Sequence, residues 1–182
     1  MNKNDIRLEY KKIRSKMSRN EVVEKSIKVL DMLTNSDLYK SVNSIMLYYP
    51  LGNEVDVSLL FNKAFSDSKT VLLPITVNDI ITPTRIYPDT KYIKGEYSIL
   101  EPEDKTPFRD KIDACIVPGI AFDKSGARVG FGKGCYDRFL TNKDIIKIGY
   151  CYDFQLCDGI FTDDHDIKMD YIVTESEFIT CE

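Results

Sequence analysis

Histidine is nearly absent from this chain: His165 is the single one in 182 residues. That scarcity argues against a zinc site built on His/Cys spacing and leaves a serine–histidine relay only one base to use. The five cysteines (Cys115, Cys135, Cys151, Cys157, Cys181) form no C-x-x-C pair, and an odd, scattered set is not a disulfide framework. Reduced thiols are the expectation. No apolar run is long enough to span a bilayer and the first residues, Met1-Asn2-Lys3-Asn4-Asp5, are polar, so neither a membrane helix nor a signal peptide is expected, and the expected compartment is the cytoplasm. A surplus of positive charge is missing as well. The formal net charge of −4 argues against a general nucleic-acid binder, so any anion site must be local. What is left, 43% hydrophobic and 30% charged residues, is ordinary for a globular protein, and the length predicts a single domain over residues 1–182 with a substantial core. No internal repeat is visible.

Glycine is sparse except in one place. Five of nine glycines (Gly119, Gly126, Gly130, Gly132, Gly134) fall between Val117 and Leu140, in VPGIAFDKSGARVGFGKGCYDRFL. This stretch follows Ala114-Cys115-Ile116-Val117, an apolar run that reads as a buried strand. Without Cβ atoms, Gly130, Gly132 and Gly134 let the backbone turn sharply and aim N–H groups at an anion, with phosphate the obvious guest. Arg128 and Lys133 add positive charge, and Tyr136 to Leu140 reads as a first helical turn. Neither standard nucleotide fingerprint fits. The Walker pattern lacks its Gly-Lys-Ser/Thr, and the dinucleotide pattern would need glycine where Cys135 stands.

Along the chain, Ile6, Tyr10, Ile13 and Met17 mark the apolar face of a first helix, with Lys3, Arg7, Lys11 and Arg14 on a neighbouring face that composition alone reads as solvated. Ser18-Arg19-Asn20-Glu21 has capping-box spacing ahead of Val23, Ile27 and Leu30, predicting a second helix from about 19 to about Leu33. Ser44 to Tyr49 reads as a buried strand stopped by Pro50, and Asp56 to Phe65 as an amphipathic helix. Thr70 to Leu73 is the next strand, stopped by Pro74. Between Ile75 and Lys111 the prolines and charge runs suggest edge strands and long surface connections without chemistry of their own. Ile146 to Tyr150 and Tyr171 to Thr174 complete the strands. This β-α-β grammar predicts an α/β fold with a mainly parallel sheet, helices on both faces, and the glycine loop in the crevice at the carboxyl ends of the strands, where Glu54 could join it.

The run P-G-x-A-F-D-x-x-G-x-R-hydrophobic-G-x-G-x-G-x-Y-D-R-F-L resembles the signature of the 5-formyltetrahydrofolate cyclo-ligase family, also called 5,10-methenyltetrahydrofolate synthetases. Lys3-x-x-Ile6-Arg7 followed by Arg14, Tyr49-Pro50 with Glu54-Val55-Asp56, and Asp153-Phe154-Gln155 followed by His165-Asp166 and Asp170 recur in that family's order. The resemblance implies an α/β/α sandwich in three layers. It implies ATP-dependent closure of 5-formyltetrahydrofolate to 5,10-methenyltetrahydrofolate with Mg2+, giving ADP and phosphate. By position it implies that Lys3, Arg7, Arg128, Gly130, Gly132, Lys133, Gly134 and Tyr136 bind ATP, and that Tyr49, Glu54, Phe131, Cys135 and Tyr136 face the folate. It implies further that Asp137 and Asp166 are metal-linked and that Lys133, Arg128 and Glu54 carry the chemistry.

Read without the resemblance, Asp137 is an acid at a helix N-terminus, Asp166 a turn residue and Glu54 an exposed loop acid. Two positions depart from the family: Cys135 stands where a tyrosine is usual, and Phe131 where residues vary. A monomer or weak homo-oligomer is expected, acting on small molecules with no nucleic-acid or membrane partner. The rival reading is a nucleotide- or phosphate-binding module without catalysis, which keeps Arg128, Lys133 and the glycines and makes Glu54 and Asp166 incidental.

Overall fold

The computed structural model describes residues 2–182. Its elements run α1 (Lys3–Ser15), α2 (Arg19–Thr34), α3 (Asp37–Ser41), β1 (Ser44–Met46), α4 (Ser58–Ser66), β2 (Thr70–Val77), β3 (Ile80–Ile86), β4 (Tyr92–Lys94) and β5 (Leu100–Pro102). They continue with β6 (Ala114–Val117), β7 (Ala121–Phe122), β8 (Arg128–Val129), α5 (Cys135–Leu140), β9 (Ile146–Tyr150), β10 (Tyr171–Val173) and β11 (Phe178–Thr180). Seven strands form the central sheet in the order β11-β10-β9-β6-β1-β2-β3. The inner pairings are parallel, and antiparallel β3 and β11 close the two edges. The fold is therefore α/β with a mainly parallel sheet flanked by helices, as the alternation of strands and helices predicts.

Period-two alternation sorts the strand side chains onto two faces. Ile45, Val71, Ile116 and Ile148 pack with Val29 and Leu33 of α2, Tyr39 of α3 and Leu60 and Phe61 of α4. Met46, Leu72, Cys115 and Val117 turn the other way, onto Phe139 and Leu140 of α5 and Phe122 of β7. The β7–β8 ribbon is covered in turn by α1, whose Ile6 meets Ala121, Ala127 and Val129. That contact brings the amino-terminal helix, with its basic residues, to the glycine loop.

Three local expectations are corrected. β2 does not stop at Pro74 but runs on to Val77, with Pro74 opposite Pro83 of β3. Facing pairs in an antiparallel ladder alternate between bonded and non-bonded, and two residues lacking N–H groups are compatible at a non-bonded pair. The β1 strand covers only Ser44–Met46, although Leu47 still donates to the Leu72 carbonyl. In α2 the capping box forms as predicted, but the buried face is Val22, Ser26, Val29 and Leu33, while Val23 and Ile27 are 36% and 44% exposed. Ser26 disguised that stripe: it is buried because its hydroxyl accepts from the Asp56 amide. Among the described residues no helix is long and apolar enough to cross a membrane.

Candidate active site

A cavity of about 730 Å³ opens at the carboxyl ends of β1 and β6. Every residue that the sequence proposes for a site lines it: Lys3 and Arg7 from α1, Tyr49 and Glu54 after β1, the run from Arg128 through Asp137 apart from Val129, and Asp166 near the carboxyl terminus. Segments far apart in sequence thus converge on one space, of a size suited to a small-molecule ligand.

The loop between β8 and α5 needs its glycines for different reasons. Gly132 and Gly134 have φ of +100° and +65°, the left-handed region that side chains resist. A Cβ at Gly130 would lie 2.8 Å from an Arg128 guanidinium nitrogen. Arg128 is consequently packed across the loop, donating to both carboxylate oxygens of Asp137 at 3.0 Å and to the Pro118 carbonyl at 3.2 Å. Its Nε is buried without a partner among the described residues. Arg7 ties α1 to the loop by donating from Nε to the Gly130 carbonyl at 2.8 Å.

The two aspartates that the resemblance links to a metal lie in different settings, and the cluster of candidate ligands around Asp166 does not include Asp137. Asp137 is engaged by Arg128 and also accepts from the Ile167 amide. Asp166 accepts from Lys3, as does Asp163 at 2.7 Å. Burial alone would raise the Asp166 carboxyl, but the Lys3 ammonium and the Asp163 amide outweigh it and hold it below the usual range. Burial lowers Lys3 in the same way, and the two aspartates more than reverse that. Asp163, His165 and Asp166 bring one ligand atom each within 4.8 Å of one another. Two of the three are hard oxygen donors, and Lys3 holds that of Asp166 charged, which fits Mg2+, an ion content with one or two carboxylates and several waters.

Glu54 is only 6% exposed, not the exposed loop acid that its position alone suggests. Burial raises its carboxyl, opposed by the Arg14 guanidinium 3.9 Å away and by the Leu51 amide, which donates to Oε2 at 2.8 Å. Buried tyrosines fix the backbone on which it sits. Tyr152 donates to the Glu54 carbonyl and Tyr48 to that of Val55, each at 3.1 Å.

Aromatic surfaces complete the walls. Tyr49 packs edge-on against Phe61 and beside Tyr92. Burial pushes the Tyr136 phenol well above its ordinary value, so it offers a neutral ring. Phe131 is exposed, with the Lys11 ammonium 5.3 Å and the Arg14 guanidinium 5.8 Å from its centroid. Lys133 is exposed too, its ammonium 5.8 Å from the Tyr97 ring centroid. Unlike Lys3 and Arg128 it makes no ion pair among the described residues.

Sequence reasoning missed the opposite wall. The stretch between Ile75 and Lys111, read as surface connection, contributes Thr76, Ile81, Glu96, Tyr97, Ile99 and Glu101. Tyr97 and Ser98 adopt positive φ at the end of the β4–β5 hairpin, and the Tyr97 hydroxyl donates to Asp79. No periodicity announces such a wall; Gly95 beside an aromatic-bearing turn is its one signal. Sequence reasoning likewise gives no site role to Asp163, or to Arg14, which it names only in the basic stripe and in the family's recurring order.

A sequence model of the 5-formyltetrahydrofolate cyclo-ligase family matches residues 1–175. The 5-formyltetrahydrofolate cyclo-ligase of Haemophilus influenzae is 28% identical over 90% of this chain and 92% of its own length. That of Mycoplasma pneumoniae is 31% identical over 96% of this chain and 99% of its own. Among solved structures, the 5,10-methenyltetrahydrofolate synthetase of Aquifex aeolicus aligns with a TM-score of 0.88 at 32% identity, covering 99% of this chain and 93% of that one. The Mycoplasma pneumoniae synthetase aligns with a TM-score of 0.76 at 25% identity, over 96% and 99% of the two chains.

Proposed function

This chain belongs to the 5-formyltetrahydrofolate cyclo-ligase family, and on that premise we propose that it closes 5-formyltetrahydrofolate to 5,10-methenyltetrahydrofolate with MgATP, releasing ADP and phosphate. The observation that carries this reading is the meeting of three kinds of group in one cavity: a glycine loop with Lys133 and Arg128, a buried carboxylate at Glu54, and aspartates paired with cations.

A formamide oxygen is a poor leaving group, so N10 cannot displace it unaided. Attack of that oxygen on the γ-phosphorus of ATP forms a P–O bond as the bond to ADP breaks, leaving an iminium phosphate. N10 then adds to the formyl carbon, its proton passes to Glu54, and the C–O bond breaks to expel phosphate. Such phosphoryl transfer is mostly positioning and charge neutralisation. In this reading Lys3 and Arg7 hold the nucleotide phosphates together with the backbone of Gly130, Gly132 and Gly134. Lys133, which pairs with no carboxylate among the described residues, meets the transferring group, and Arg128 supports it from beneath the loop. Asp137 and Asp166 would hold Mg2+, which when bound offsets charge on the phosphate oxygens. Tyr49, Phe131, Cys135 and Tyr136 form the folate wall, with Tyr97 facing them across the cavity.

The protein acts as one domain, a monomer or weak homo-oligomer in the cytoplasm, with no nucleic acid or membrane partner. Purified protein given 5-formyltetrahydrofolate and MgATP is expected to form methenyltetrahydrofolate, seen by its absorbance, and ADP in equal amounts. Nucleotide binding by folded protein without folate turnover would instead mark a binding module.

A further inference from the structure

Arg14 lies one layer behind the cavity, and the role read for Glu54 leaves it unused. Its side chain is 12% exposed, with the guanidinium 3.9 Å from Glu54 Oε1 and 5.8 Å from the Phe131 centroid. The turn bearing Glu54 is also tied to that end of α1, since Asn53 Nδ2 donates to the Arg14 and Met17 carbonyls at 3.0 Å each. One Glu54 oxygen is occupied by the Leu51 amide, and Arg14 faces the other.

We propose that Arg14 is a positioning residue for Glu54: lodged between Phe131 and the carboxylate, it keeps that carboxylate anionic and oriented to take the N10 proton. The inference rests on the reading of Glu54 as the proton acceptor. A carboxyl group this deeply buried tends to keep its proton, and a protonated Glu54 cannot act as a base. The ionisable groups facing it are Arg14 from α1, Tyr48 from the segment after β1 and Tyr136 from α5, with the Tyr152 hydroxyl on its carbonyl. Burial pushes the Tyr48 and Tyr136 phenols well above their ordinary value and raises Tyr152 to about 12, so all three are neutral near pH 7. Arg14 is the fixed cation that favours the charged form. A guanidinium suits the position because it stays ionised when buried and stacks on an aromatic ring.

Two readouts test this. In the first, the carboxyl carbon of Glu54 is followed by NMR against pH in ligand-free protein, assigned by its absence from Glu54→Gln. Arg14→Met is expected to raise its titration midpoint by about 1–3 pH units, the range for losing a close opposite charge. Arg14→Lys keeps the charge and should leave the midpoint near that of wild type. In the second, the acid limb of the kcat profile of Arg14→Met should move up with the midpoint, and the rate should recover to within several-fold at high pH. Should Arg14→Met fail to fold, Arg14→Gln, which retains hydrogen bonding without charge, makes the same comparison. An unmoved midpoint, or a loss of rate equal at every pH, would overturn the proposal and leave Arg14 a packing residue. Full turnover in folded Glu54→Gln would overturn the base reading itself, and the catalytic part of this proposal with it, whatever the titration showed.

Discussion

Lys3 and Asp166, 163 residues apart, are joined by a hydrogen-bonded ion pair at the mouth of the cavity. The residue assigned to nucleotide phosphates and the residue assigned to the metal are therefore paired with each other. MgATP would replace one pairing with two, Lys3 with phosphate and Asp166 with the cation. Asp166→Asn should raise the Mg2+ concentration for half-maximal rate by at least about tenfold, the lower end for losing even an outer partner of a metal. Lys3→Met should chiefly raise the KM for ATP. Both are read from initial rates over a grid of Mg2+ and ATP concentrations, with Asp137→Asn beside them. An unchanged metal requirement in both aspartate variants would remove them from the metal site.

Unlike Lys3 and Arg128, Lys133 has no carboxylate partner among the described residues, which leaves its ammonium available to the transferring phosphoryl group. Removing one preorganised donor of this kind typically slows turnover by about 10²–10³. Lys133→Ala should fall in that range with its melting temperature unchanged, because the side chain is exposed. Wild-type kcat in this variant would make it a solvated loop lysine.

The parts of this site that were legible in sequence are those with local causes. A glycine loop after a buried strand is visible because backbone geometry demands glycine at Gly132 and Gly134, whatever surrounds them. Parallel β-strands separated by helices announce themselves by period, and the crevice follows from the topology. The wall bearing Tyr97 and Glu101 has no such cause. It exists because the β4–β5 hairpin folds back so that Glu101 can accept from the Thr76 amide of β2, a contact between residues 25 apart that no window contains. The α2 stripe was misread for a related reason. Ser26 looks polar until the Asp56 amide that it satisfies is brought beside it.

Glu54 links the reaction to stability. Its carboxyl is raised in the folded protein above its value in the unfolded chain, so the native state binds this proton more tightly. Stability then falls as pH rises from the unfolded value near 4.3 through the higher folded one, and the contribution is most favourable below that window. Glu54→Gln removes this dependence. The difference in melting temperature between variant and wild type should therefore move in the variant's favour as pH increases from about 4 to 7, even though the variant loses turnover. A difference that stays constant across that range would show that Glu54 titrates normally.

Cys135 departs from the family's usual tyrosine, and the structure bears on whether that makes it a nucleophile. It sits at the start of α5 behind Lys133, a setting that could favour a thiolate. Burial and Asp79, whose carboxylate is 3.9 Å from the sulfur, instead push the thiol up. A reaction through phosphate needs no covalent enzyme intermediate, so Cys135 is better read as a small apolar wall residue. It lines both the main cavity and a neighbouring groove of about 630 Å³, which gives a larger side chain room to turn. Cys135→Tyr should retain turnover and change the folate KM only several-fold, within the roughly 0.5–1.5 kcal/mol that an added aromatic contact brings. Iodoacetamide, followed by peptide mapping to separate Cys135 from half-exposed Cys157 and Cys181, should modify it slowly at neutral pH and faster as pH rises. Prior binding of folate should protect it. Complete loss of turnover in folded Cys135→Ser, with folate affinity intact, would overturn this assignment and make the thiol part of the chemistry.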